Sequence, residues 1–446
     1  MFVGSNTGFV STKKPLPTHE SPGVVSRRDL LKLTASAALG FAIVPRHVLG
    51  GPGYTPPSEQ ITRAIIGCGG MGHSHLKYNY GPLLGLCDVD SDHLADAMNK
   101  ARGNGDTSVK GYHDFREMLL RDDIDVVEVV TPPHWHAAMA IAVAESGKDV
   151  WCEKPMTRTI GEGKKVKEAI RRTGRMFRIN TWFRFQNNWY GAGSPVAPLK
   201  KLADSGLLGW PLKITLGEST GFDWKFDRWQ GTPGLTAEPV PAVLDYDFWL
   251  GPAPWKPYNH LRVHQNFRGY WDYDGGGLGD MGQHYLDPTQ YILGKDDTSP
   301  VEIEARCEQQ GPEVVLTFDE IRMKYADGCE IILDGKPKRD GVALIEGPKG
   351  KLYPGFECTI PDFRKKLNEY PDPEPMVSDF SESVRTRQPF ALNEKNGHRS
   401  CTLINLAKIA MRTQRKLRYD PVKERFINDE QANALIDEPM RAPWII

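Results

Sequence analysis

The apolar positions of the chain fall into two regimes. Between residues 61 and 182, short continuous apolar runs alternate with stretches in which apolar residues recur at helical spacing. The runs at 61–66, 83–87, 124–130, 149–152 and 176–182 predict strands buried on both faces. Residues 91–101 and 114–121 predict helices. So does the segment that Pro132 and Pro133 open and Gly147 stops, and so does 160–172, where Thr159 and Glu162 have capping-box spacing. Strand and helix in alternation predict a doubly wound parallel sheet, an α/β fold. From 301 to 333 the period changes to two, around turns at Gln310–Gly311–Pro312 and Ala326–Asp327–Gly328, and an antiparallel meander is expected. Residues 376–386 and 397–415 predict late helices that pack back on the body. The organisation expected is a leader and linker over 1–50, a first domain over 58–185 and a second over 186–446.

The leader carries its own pattern. Ser26-Arg27-Arg28-Asp29-Leu30-Leu31-Lys32 precedes a small-residue apolar stretch over 33–44, and Gly50-Gly51-Pro52-Gly53 follows. This resembles a twin-arginine export signal, with Leu30 at the usual Phe position. The resemblance implies periplasmic localisation through the twin-arginine machinery. That route carries folded proteins, so it favours a cofactor loaded before export and held tightly. No A-x-A cleavage site follows, which leaves an uncleaved N-terminal anchor open. No apolar run reaches the ~18–20 residues that span a bilayer, so no stable membrane span is expected.

Composition narrows the classes. Lys plus Arg is 56 against 57 for Asp plus Glu, a balance that argues against a nucleic-acid binder, which needs a basic surface. The seven cysteines include no C-x-x-C pair, so they read as buried reduced thiols and not as a zinc site or disulfide frame.

The first strand ends in Gly67-Cys68-Gly69-Gly70-Met71-Gly72, a G-x-G-x-x-G turn between strand and helix. Gly67 permits the tight turn, Gly69 lets backbone approach a pyrophosphate, and Gly72 lets helix and strand lie close; Gly70 and Met71 complete the loop. Asp88 stands 21 residues after Gly67, where a carboxylate would accept the adenosine ribose hydroxyls and repel a 2′-phosphate. A dinucleotide site follows, with NAD favoured over NADP. Ligands of doubly wound sheets sit beyond the carboxyl ends of the strands. Two segments fall there: Thr131-Pro132-Pro133-His134-Trp135-His136 and Cys152-Glu153-Lys154-Pro155.

These residues, with the later Gly275-Gly276-Gly277-Leu278-Gly279-Asp280-Met281-Gly282-Gln283-His284-Tyr285-Leu286-Asp287, resemble the Gfo/Idh/MocA oxidoreductases over nearly the whole chain after the leader. The resemblance implies an N-terminal Rossmann domain and a C-terminal α/β domain on a mostly antiparallel open sheet, whose face covers the nicotinamide and binds a sugar or polyol. Lys154 matches the active-site lysine of E-K-P, and Asp280 and His284 match D-x-x-x-H. His136 matches a histidine near the cofactor; Thr131, Glu153 and Lys154 border it.

The same residues suit hydride transfer from a secondary alcohol, which needs a base for the hydroxyl proton and a donor for the developing alkoxide. His284, with an unperturbed pKa of ~6.5, is the natural base. Asp280, four residues earlier, would share a helical face with it and fix its tautomer. Lys154 is either the donor or, if desolvated, the base. The triple glycine before Asp280 would let backbone approach a ligand. A metal on Asp280, His284 and Asp287 is disfavoured, because no second histidine stands near, so none is expected. Residues 182–271 hold eight of the eleven tryptophans, most of them packing loops and some offering faces to sugar rings. Arg184, His264, Arg268 and Tyr273 are candidate substrate contacts, and 250–258 reads as a rigid Pro/Gly segment over the site mouth. The antiparallel sheet could pair between subunits, giving a homo-oligomer. The function expected is an exported NAD-dependent oxidoreductase of a sugar, glycoside or polyol hydroxyl. The alternatives are a redox-neutral NAD-dependent glycosidase or lyase working through a transient keto-sugar, and a catalytically idle sugar-binding protein.

Overall fold

Apolar runs that must be covered on both faces find that cover in a six-stranded parallel sheet. The structure is a computed structural model and describes residues 59–185 and 189–446; the leader and its expected export signal lie outside them. Strands β1 (Arg63–Ile66), β2 (Leu83–Cys87), β3 (Lys110–Tyr112), β4 (Val126–Val129), β5 (Asp149–Cys152) and β6 (Phe177–Ile179) lie in the order β3-β2-β1-β4-β5-β6. Helices α1 (Gly70–His75), α2 (Ser91–Gly103), α3 (Phe115–Leu119), α4 (Pro133–Glu145) and α5 (Ile160–Thr173) connect them. Strand β1 feeds two cores: Ala64 and Ile66 pack with α3 and α4, Ile65 with Leu76 and α2. The capping box at Thr159 and Glu162 is formed. Strand β6 is shorter than the sequence predicts. It stops at Ile179 because the next two side chains turn inward, Asn180 to Glu153 and Thr181 to His284.

The second sheet has nine strands: β7 (Lys213–Leu216), β8 (Glu302–Cys307), β9 (Phe318–Lys324), β10 (Glu330–Asp334), β11 (Ile345–Gly347), β12 (Gly350–Tyr353), β13 (Glu357–Cys358), β14 (Leu417–Asp420) and β15 (Arg425–Phe426). Their order is β13-β12-β11-β7-β10-β9-β8-β14-β15, antiparallel except for the β7–β10 pair. The period-two stretch forms β8, β9 and β10; β8 and β9 broadly alternate between core and solvent, whereas β10, between β7 and β9, is buried from Ile331 to Asp334. The shared core lies against α6 (Val196–Asp204), α8 (Gly276–Ile292) and α11 (Glu394–Thr413). The opposite face exposes Glu304, Arg306, Asp319, Arg322 and Lys324. Short helices α7 (Tyr246–Leu250), α9 (Phe363–Leu367), α10 (Phe380–Thr386) and α12 (Glu430–Ala434) complete the chain. Phe380 on α10, Cys401 on α11, and Phe390 and Leu392 on the segment between them enter the first core, and the Ile179 N–H donates to the Leu392 carbonyl. The stretch from Leu244 to Leu250 lies on the first domain, joined to it by the Asp90–Leu244 bridge and by Trp249.

Candidate active site

A cleft of about 440 Å³ opens beyond the carboxyl ends of β1, β2, β4 and β5. One end is made of backbone. Gly67 has φ +98°, and a Cβ there would meet the Val130 carbonyl at 2.5 Å. A Cβ on Gly72 would overlap the Gly67 carbonyl, so helix and turn are in direct backbone contact. Gly69 and Gly70 line the cleft bare: a Cβ on Gly69 would meet only His93, at 4.0 Å, and one on Gly70 nothing within 4 Å. Asp88 closes this end. Its Oδ2 accepts from the Cys68 N–H at 2.7 Å and its Oδ1 from the Asp90 N–H at 2.9 Å. Burial raises its pKa despite those bonds. Met71 and Thr131 line the same wall. These residues leave room for a dinucleotide where backbone can touch it.

The other end is made of side chains from distant segments. The Lys154 ammonium donates to Asp280 twice, to Oδ1 at 2.9 Å and to the carbonyl at 2.7 Å. Asp280 Oδ2 accepts from the Trp229 indole at 2.9 Å, and Arg268 Nε lies 3.1 Å away. Burial alone would push the Asp280 carboxyl up, but Lys154 and Arg268 hold it well below the usual carboxylate range. Two donated bonds leave an ammonium one further N–H.

The expected pairing of Asp280 with His284 is not formed. Both lie on α8, but Asp280 turns to Lys154, and the His284 Nδ1 pairs with the Thr181 hydroxyl at 2.8 Å. The imidazole is buried, stacked on Phe183, and is not on the cleft wall. Burial and the charge of Lys154 push its pKa down to about 3. The triple glycine also differs from expectation. It makes room for the protein's own side chains: a Cβ on Gly275 would meet Lys408 at 2.7 Å, and one on Gly277 would meet the Trp229 ring at 2.8 Å.

The other sequence candidates divide. Arg268 stands at the lysine end, whereas His264 stands at the opposite end, 3.6 Å from Asp90 and ring to ring with His93. Asp90, His93 and His264 bring ligand atoms within 4.8 Å of one another, a grouping the sequence reading did not raise; one Asp90 oxygen is engaged in capping α2. Arg184 is away from the cleft, its guanidinium bidentate on Asp287 at 2.7 and 3.0 Å and bonded to Asp296. Tyr273 is buried between His134 and Trp249. His136 lies behind the cleft, its ring nitrogens each 2.7 Å from the Thr131 and Pro155 carbonyls. It ties the loops after β4 and β5 together. Residues 250–258 do not line the cleft; Phe248 and Trp249, just before them, do. A Cβ on Gly251 would strike Trp135, so this chain lies directly on the first domain.

Four residues matter that the sequence reading did not single out. Trp229 holds Asp280. Gln283 accepts from the Met156 N–H and donates to Gly397 and Ser400, fixing α8 to the loop after Lys154 and to α11. His75, one turn past Gly72, is buried between Glu128 (2.5 Å) and Glu153 (2.8 Å). Burial opposes its charge, but the two carboxylates raise its pKa to about 9. Asp274 lies in the cleft wall, fully buried. The only cue to it was an acid directly before three glycines.

Residues 61–181 match the family model described as the oxidoreductase family, NAD-binding Rossmann fold, and residues 192–446 match that of the family's C-terminal alpha/beta domain. The chain is 33% identical over 153 residues to a glycosyl hydrolase family 109 protein of Solibacter usitatus, covering 31% of this chain and 34% of that protein. It is 28% identical over 195 residues to an inositol 2-dehydrogenase of Salmonella typhimurium, 42% of this chain and 53% of the relative. The chain thus spans about half or less of these curated relatives. The WlbA dehydrogenase of Bordetella pertussis, solved with NADH and UDP-GlcNAcA, has the same fold at TM-score 0.56 and 16% identity, over 81% of this chain and 99% of that one. With both halves matched in order, the chain belongs to the Gfo/Idh/MocA oxidoreductase family.

Proposed function

We propose that this protein is an exported, NAD-dependent oxidoreductase that oxidises a secondary hydroxyl of a sugar, glycoside or polyol. The observation that carries the reading is the Lys154–Asp280 clamp at one end of a cleft whose other end is bare glycine backbone and Asp88. Gly69, Gly70, Met71 and Asp88 would hold NAD, which when bound supplies the hydride acceptor. Asp88, fixed at the turn, favours NAD over NADP. The Lys154 ammonium, held in place by Asp280, has an N–H to offer the substrate oxygen as negative charge develops there. Arg268 and Trp229 keep Asp280 in place. Phe248, Trp249 and Phe267 give the cleft apolar lining, which suits a cofactor that stays bound through export. The likeness to an inositol 2-dehydrogenase supports a polyol or sugar substrate.

A second reading rests on the likeness to glycosyl hydrolase family 109 proteins: oxidation would be transient and end in glycosidic cleavage. One experiment separates the two. Protein purified without added cofactor is mixed with hexoses, methyl glycosides and myo-inositol, and reduced-nicotinamide absorbance and products are followed together. A stoichiometric rise that resumes when a second carbonyl acceptor is added is the outcome expected. Many turnovers of cleavage with no lasting rise would establish the redox-neutral reading instead.

Export and assembly belong to the same proposal. Arg27→Lys with Arg28→Lys should leave the protein in the cytoplasm; unaltered export would refute the twin-arginine reading. The exposed charged face of the second sheet is the surface proposed for homo-oligomer contacts. Light scattering that returns a monomer mass at micromolar concentration would exclude it.

A further inference from the structure

Helix α7 belongs to the second domain, yet two of its rings, Phe248 and Trp249, line the cleft. The chain entering α7 is bonded to the stretch directly after Asp88. The Ser91 N–H donates to the Val243 carbonyl at 2.9 Å, and the Asp245 N–H donates to the Val89 carbonyl at 3.0 Å. The wall that α7 supplies therefore flanks the carboxylate proposed to hold the adenosine ribose. These main-chain bonds fix where the helix starts. They leave the Phe248 ring and the end of the helix to other supports.

Those supports come from the segment after α12. It is first anchored away from the cleft. The Gly161 N–H donates to the Ile436 carbonyl at 2.7 Å, and the Glu438 carboxylate accepts from Arg158 and Arg412. The segment then crosses to α7. The Arg441 N–H donates to the Pro252 carbonyl at 2.9 Å, and its Nε donates to the Gly251 carbonyl at 2.9 Å. Its Nη2 donates to the Asp247 carbonyl at 2.6 Å, and its Nη1 donates to the Asp247 carboxylate. One residue thus holds three carbonyls in and just beyond α7. Three positions later, Trp444 stacks on the Phe248 ring, with centroids 5.2 Å apart and planes 17° from parallel. It also stands edge-on to Trp135, another lining ring, at 4.8 Å. The Arg116 guanidinium lies over both Trp444, at 5.1 Å, and Phe248, at 5.6 Å. Arg441 and Trp444 do not themselves line the cleft, but the rings and helix they hold do.

We propose that the segment from Arg441 to Trp444 is a strap that sets how long the cofactor stays bound. It braces Phe248 and the end of α7, and the dinucleotide leaves only when that wall moves. Arg441 and Trp444 are positioning residues, acting on the cofactor through α7. The inference rests on the cofactor placement proposed above, and not on the substrate or on the fate of the hydride. It assigns the tight retention expected of a protein exported with its cofactor to side chains outside the nucleotide motif.

The test measures release. The full protein is loaded with NADH, and the fall of nicotinamide fluorescence is followed after dilution into excess NAD. Arg441→Ala combined with Trp444→Ala should release NADH about tenfold faster than wild type. Trp444→Phe alone keeps a ring on Phe248 and should stay within about twofold. Melting temperatures of the cofactor-free proteins should agree within about 3 °C, because Glu438 still ties the segment to Arg158 and Arg412. Release from the double variant within about twofold of wild type overturns the inference. So does faster release accompanied by a fall of more than about 8 °C in melting temperature, which would make the segment a support of the fold and not of the cofactor. A wild type that binds neither NADH nor NADPH refutes the cofactor placement and the strap together, whereas unchanged release from the double variant refutes the strap alone.

Discussion

The two ends of the cleft are built in opposite ways. The glycine end is backbone, written in one stretch of chain: Gly67, Gly69, Gly70 and Gly72 lie within six residues, and Asp88 is one strand further on. The lysine end is side chain, gathered from Lys154, Trp229, Arg268, Asp274 and Asp280 by folding. A local motif needs only its own turn to be right. A gathered one depends on every element that positions it. The first should therefore tolerate change elsewhere and fail by loss of affinity. The second should fail by loss of rate, and it should be sensitive to its supports.

The largest effect should come from the support that both ends share. His75, on the helix after the glycine turn, is held between Glu128 and the Glu153 that precedes Lys154. Replacing it by Phe removes the cation between two buried carboxylates, leaving Glu128 with Arg63 and Glu153 with Asn180 and the charge of Lys154. We expect a loss of about 3–5 kcal/mol in chemical denaturation; a loss below 1 kcal/mol would mean that the two ends are not tied through this residue. The folded pKa of His75, about 9, is above its ordinary 6.5. Its contribution is thus complete below about 6.5 and is lost as pH rises through about 9. Wild-type stability should fall across that window, and His75→Phe should flatten the fall.

Next in size is Lys154→Met. Removing the donor to the developing alkoxide should lower single-turnover oxidation ~10²–10³-fold, about 3–4 kcal/mol, with cofactor affinity unchanged. Gly69→Val is its mirror image. The Cβ position at Gly69 is open toward the cleft, so the fold should be unaffected while NAD affinity falls roughly tenfold to a hundredfold, about 1.4–2.7 kcal/mol. If each variant altered both affinity and rate to the same extent, the division of the cleft into a holding end and a reacting end would be wrong.

The same division explains what could be read from sequence. Strand and helix runs of the first sheet are local periodicities, and most appear where the pattern puts them; β6 is cut short because Asn180 and Thr181 answer to partners far away in sequence. The glycine turn was legible for the same reason. At the lysine end, Lys154 and Asp280 stood out as residue types, but what each faces could not be read from spacing. An i to i+4 relation put Asp280 and His284 on one helix without saying that Lys154 would take the carboxylate and Thr181 the imidazole. Asp274 stayed hidden because its character comes from burial and from four groups scattered over the chain.

The smallest effect is expected where the sequence pointed most strongly. His284 has the residue type and position of a base, yet it is packed on Phe183 and Trp182 and bonded to Thr181. With its pKa pushed down to about 3, it is neutral across the working range and changes charge nowhere near it. An asparagine can keep the bond to Thr181 but leaves part of the ring's volume empty, costing about 1–2 kcal/mol of stability. Turnover of His284→Asn should fall less than about tenfold, a positioning loss through α8, and the pH–rate profile near neutrality should keep its shape. A drop of a hundredfold with the neutral limb abolished would make His284 the base. It would also require the imidazole to leave Thr181 and reach the cleft when substrate binds.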